Sequence, residues 1–130
     1  MKSILFLVSF ILINCSTQKS VNEDFTFSRS VCFGKCPAYI LRLENKAFVF
    51  EIIENKEKNQ IPLTKEQQDK IRLLALNINT QDMDSLYGNP KIYDLPKYQI
   101  QEGTKIIRVV DSRQAPNSIK TLINYLNNFL

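Results

Sequence analysis

Hydrophobic positions alternate with polar ones through the first half of the chain beyond residue 24, and then repeat at helical spacing. Phe25-Thr26-Phe27-Ser28 has the period-2 pattern of a half-buried strand. Ala38–Glu44 and Ala47–Ile53 continue it, with Phe48, Phe50 and Ile52 on one face of the second run, and Asn45-Lys46 between them predicts a tight hairpin. Lys56–Ile61 reads as a polar fourth strand at an edge, where lysines discourage further pairing. Pro62 then ends the strands and the period changes. Thr64-Lys65-Glu66-Gln67 matches a capping box, in which the threonine hydroxyl accepts a backbone N–H at the helix start. Ile71, Leu74, Ala75 and Ile78 follow as the apolar face of that helix. Asn79–Asp94 is turn-rich, with Gly88-Asn89-Pro90 inside it. Lys97–Gln101 and Thr104–Val110 flank Glu102-Gly103 as a second hairpin. The last helix opens near Pro116, taken as its first position, and buries Ile119, Leu122, Ile123 and Leu126. The order β-β-β-β-α-β-β-α predicts an α+β fold, a two-layer sandwich of an antiparallel sheet and two helices.

The opening residues say where the chain resides. Lys2 precedes Ile4–Ile13, which is apolar except for Ser9 and about half the length needed to span a bilayer. It reads as the apolar region of a signal peptide. Leu12-Ile13-Asn14-Cys15 follows and resembles the lipobox of bacterial lipoproteins, with Asn14 where a small residue is usual. That resemblance implies cleavage before Cys15 and lipidation of Cys15, each buried CH₂ adding about 0.8 kcal/mol of anchoring. The expected organisation is a signal peptide over 1–14, lipidated Cys15 and a polar tether over 15–24, and one α+β domain over 25–130. The expected location is the cell envelope, and Ser16 after the anchor favours the outer membrane.

Charge narrows the partners. Removal of 1–14 takes away Lys2 alone, leaving 16 basic and 13 acidic residues, a net of +3 spread along the chain. No dense Lys/Arg block of the nucleic-acid type is present, and an exported domain does not meet nucleic acid. The expected partners are the membrane, through the lipid, and an envelope protein or polymer.

With Cys15 given to lipid, Cys32 and Cys36 remain of three cysteines, an even pair in an oxidising compartment. Three chemistries are open to them. A redox dithiol usually has C-x-x-C at a helix N-terminus; here the spacing is C-x-x-x-C, Pro37 follows, and the chain runs into a strand. The same spacing followed by proline occurs in a copper-delivery family of thioredoxin fold, where a histidine completes the site. This chain has no histidine, although two thiolates alone suit Cu(I). The favoured reading is a disulfide, Cys32–Cys36, pinning a loop whose turn Gly34 permits and whose tip carries Phe33 and Lys35. That tip is either a contact surface or a lid on the core. A periplasmic thiol-redox or Cu(I) protein remains the alternative.

Other catalytic patterns are missing. Without histidine there is no Ser–His or Cys–His pair. The three glycines, Gly34, Gly88 and Gly103, are too scattered to cradle a phosphate. Asp82 and Asp84 lack the rest of a calcium loop, and the carboxylates Glu51 and Glu54 are the one pair considered for glycoside chemistry. No catalytic residue, metal or cofactor is assigned, and the expected role is binding or support rather than catalysis.

The stretch Arg29-Ser-Val-Cys32-Phe33-Gly34-Lys35-Cys36-Pro37-Ala-Tyr39 resembles the signature of a bacterial family of exported domains, domain of unknown function 6438. Its pattern is Arg, two residues, Cys-Phe-Gly, one residue, Cys-Pro, one residue, Tyr, and every specified position matches. Tyr93-Asp94-Leu95-Pro96 looks like the family's Thr-Asp-Leu-Pro segment, with Tyr93 for threonine. The resemblance implies a small, often lipid-anchored α+β domain and no activity. Arg29, Phe33, Gly34, Lys35, Pro37, Tyr39 and Asp94 are therefore the candidate binding or motif-supporting residues, with an Arg29–Asp94 ion pair as the structural reading of two of them.

Overall fold

The computed structural model describes residues 20–34 and 36–130. The expected signal segment, Cys15 and Lys35 lie outside the described residues.

The strands are β1 (Thr26–Arg29), β2 (Ala38–Glu44), β3 (Ala47–Glu54), β4 (Glu57–Ile61), β5 (Leu86–Tyr87), β6 (Tyr98–Glu102) and β7 (Lys105–Val109). The helices are α1 (Lys65–Leu76) and α2 (Asn117–Asn127). Two Asn-Lys dipeptides turn the first three hairpin strands. Asn45 and Lys46 have φ of 49° and 65°, and Asn55 and Lys56 have 52° and 66°. Both central residues at positive φ match the right-handed twist of the flanking strands. The capping box forms as expected: Gln67 N–H donates to Thr64 Oγ1 at 3.2 Å, and Thr64 N–H donates to Gln67 Oε1 at 2.8 Å.

The strand order is β4-β3-β2-β1-β6-β7-β5, with the four-residue β1 at the centre. Two details correct the expected antiparallel sheet. Leu86-Tyr87, inside the segment that reads as turns, pairs with β7 in parallel, so the sheet is mixed and the order is β-β-β-β-α-β-β-β-α. Arg108 N–H to Ser85 O and Val110 N–H to Tyr87 O, both 2.9 Å, hold it there. A two-residue strand is too short to show a period. The second hairpin also turns one residue later than expected, since Glu102 pairs with Lys105, and Pro116 is the residue before α2 rather than its first.

One face of the sheet holds the core. Phe50, Leu41, Phe27, Ile100 and Ile107 are register partners across five strands and are fully buried. Ile71 and Ala75 of α1 and Ile119, Leu122 and Leu126 of α2 close over them. Val21 also packs against this core and the Asn22 amide donates to Glu102, so the ordered chain reaches into what reads as tether. Among the described residues no helix covers the other face. There Gln60, Glu51, Ile40, Ser28, Gln99, Arg108 and Leu86 form one cross-strand row over all seven strands.

Candidate functional site

The signature residues Arg29 and Tyr39 are register partners on β1 and β2, and Arg29 also opposes Tyr98 on β6. The parity that buries Phe27 sends Arg29 to the core face, where its guanidinium lies 6.0 Å from the centroids of both tyrosine rings. Its Nη1 and the Tyr39 hydroxyl each donate to Asn127 Oδ1 at 3.4 Å. Asn127 ends α2, so Arg29 sits beneath the negative end of that helix. Arg29 Nε is buried and has no hydrogen-bond partner among the described residues. Burial pushes the Tyr39 phenol well above the ordinary tyrosine range, with Tyr98 adding to the shift and Arg29 opposing it. Tyr39 is therefore a neutral donor, and the Arg–Tyr pair joins three strands to α2.

The expected Arg29–Asp94 ion pair does not form among the described residues. Arg29 points into the core layer, whereas Asp94 is exposed on the loop before β6. The neighbouring Tyr93 is also exposed, and Lys97 Nζ lies 5.5 Å from its ring centroid.

Beyond Arg29 the chain forms the loop 30–37. Ser30 anchors its start: its N–H donates to Lys97 O at 2.8 Å, and its Oγ accepts from Lys97 N–H at 3.0 Å. Cys32 and Cys36 lie at disulfide distance, with Cα atoms 5.4 Å apart. Gly34 has φ of 113°, a conformation that a side chain resists. Phe33 is 86% exposed, which removes the reading of this residue as a lid on the core.

The loop borders a groove of about 740 Å³ on the uncovered face of the sheet. Ile40, Ile53, Leu86 and Val110 give it apolar walls, Ser28 and Gln99 lie along its middle, and Lys97 and Arg108 bring positive charge. A second concavity of about 350 Å³ lies between the cysteine loop and the Asn55 turn. Ile53 lines both, so the two adjoin. Nothing in the alternation of β2 and β3 marks this groove, because its lining comes from six strands and the segments that connect them.

Of the carboxylates named from the sequence, Glu51 and Asp82 are committed elsewhere. Glu51 accepts from Arg42 Nη2 at 2.9 Å, and the Arg42 hydrogen bond holds its carboxyl below the ordinary range. A carboxylate so held is a poor general acid. Asp82 accepts from the Asn79 amide at 2.6 Å as part of a short 3-10 turn. Among the described residues no group of three metal-ligating side chains occurs. Sequence reasoning also passed over Asp111. It is buried, caps the turn Ser112–Gln114 through the Arg113 N–H at 3.0 Å, and takes two bonds from the Arg113 guanidinium at 2.9 and 2.8 Å. Those bonds hold its carboxyl below the ordinary aspartate range. An aspartate two residues before the arginine was the available signal.

The family described as Domain of unknown function (DUF6438) matches residues 23–130, and the chain belongs to it. No curated protein and no solved structure matches the chain.

Proposed function

We propose that this family member is a lipid-anchored domain of the cell envelope, held at the outer membrane through Cys15, that binds an envelope component rather than catalysing a reaction. The observation that carries this reading is the groove on the uncovered sheet face, with the cysteine loop at its end. β1 runs from the tether side of the domain to that loop, so the loop stands at the end of the sheet away from the point where the tether enters. An anchored domain built this way presents its exposed Phe33 outward.

The test is capture in the native envelope. A photoreactive residue at Phe33, or separately at Gln99, is expected to give discrete adducts that one at Lys65, on the far side of α1, does not. Equal adducts at all three positions overturn the proposal.

In this reading Cys32 and Cys36 form a disulfide, and closing so short a loop contributes roughly 2 kcal/mol. Intact mass after alkylation is expected to show two alkyl groups on these cysteines only when the protein is first reduced. Two groups added without reduction bring forward the alternative, a thiol-redox or Cu(I) protein, and metal content then decides between those two.

A further inference from the structure

We propose that the groove takes a single-chain amphiphile with an anionic head, a long-chain carboxylate, its tail along Ile40 and Ile53 and its head at Arg108 and Lys97. The assignment rests on the reading that this face is the binding surface. Three observations narrow the ligand.

The first is the floor. It is the face of a continuous seven-stranded sheet, whose backbone donors and acceptors are used by the ladder. A peptide laid across it would find side chains but few free N–H or C=O groups, and its own polar backbone would go unpaired. An acyl chain has no such groups to satisfy and matches the apolar walls. The second is charge. Neither Arg108 nor Lys97 forms an ion pair among the described residues, and no acidic residue lines the groove. The nearest carboxylate in the cross-strand row, Glu51, is already held by Arg42. An anionic head therefore meets two cations without a carboxylate partner among the described residues, and a cationic head meets repulsion. The third is size. At about 740 Å³ the groove falls within the span of small-molecule sites, roughly 300–1,000 Å³.

The experiment uses the full chain in its native envelope and two probes of equal length, a photoreactive alkyne-tagged palmitate and the corresponding alkylamine. The palmitate probe is expected to label peptides containing Ile40 or Ile53, and unlabelled palmitate is expected to compete. Arg108→Gln together with Lys97→Gln is expected to reduce that labelling about tenfold and to abolish the preference for carboxylate over amine. Both side chains lie outside the core, so the double variant keeps the fold, which circular dichroism checks. Equal labelling by the two probes in the unsubstituted chain, or palmitate adducts confined to other surfaces, overturns the assignment. If a photoreactive residue at Gln99 captures an envelope protein or polymer while palmitate leaves the groove unlabelled, the ligand class is wrong and the binding face stands. If neither labels the groove, both fall.

Discussion

Gly88→Ala is expected to lower the unfolding free energy by about 3 kcal/mol, far more than one methyl group ordinarily costs. Two effects add. Gly88 has φ of 98°, where a residue with a Cβ carries about 1–3 kcal/mol of strain. The new Cβ would also stand 2.8 Å from both the backbone N and the Cβ of Asp111 and 2.9 Å from Val110 Cγ2. Asp111 is fixed by its bonds to Arg113, so it cannot easily give way, and overpacking of this kind adds about 1–3 kcal/mol. Gly34→Ala is the control. Its φ of 113° is similarly unfavourable, but an added Cβ would meet nothing within 4 Å among the described residues, so only the strain should appear. Denaturant midpoints at unchanged m-value measure both. Equal losses at the two glycines would show that the contact with Asp111 relaxes. A larger loss at Gly88 means that β5 is held against β7 by close backbone approach, and with it the Leu86 and Val110 wall of the groove.

How much of this was legible in the chain depended on the range of the interaction that decided it. The capping box at Thr64 and Gln67 is made within one turn, and the stripes Ile71–Ile78 and Ile119–Leu126 repeat along single elements, so local periodicity reached them. The hairpin at Asn45-Lys46 was read for the same reason, while its counterpart at Asn55-Lys56 was passed over although it uses the same dipeptide. β5 escaped because two residues display no alternation, and its place is set by β7, some twenty positions away. The partner of Arg29 escaped more completely. Asn127 is 98 residues distant, and no local pattern distinguishes it from an exposed asparagine at a helix end. A strand's alternation shows which residues share a face. It does not show whether a helix will cover that face, and for Ile40, Ile53 and Arg108 that was the question that mattered.

The signature itself is best tested at Tyr39. Tyr39→Ala is expected to cost about 3–5 kcal/mol, the range for deleting a large buried ring. Tyr39 is fully buried, with its ring centroid 5.2 Å from that of Phe50 and 6.3 Å from that of Phe27. Arg29 would also lose one of the two rings beneath its guanidinium. Tyr39→Phe keeps all of that packing and removes only the hydroxyl, whose bond to Asn127 is long at 3.4 Å, so it is expected to cost about 1 kcal/mol. Chemical denaturation of the two variants separates the roles. A loss below about 1 kcal/mol for Tyr39→Ala would mean that the ring is not part of the scaffold, since cavities of this size cost several times more. The expected pattern, a large loss on truncation and a small one on removing the hydroxyl, makes Arg29 and Tyr39 the two posts that fix both ends of the cysteine loop to the sheet and to α2. The signature then divides physically: its first and last residues build the support, and the exposed Phe33 and the concavity between the cysteine loop and the Asn55 turn are what the support holds in place.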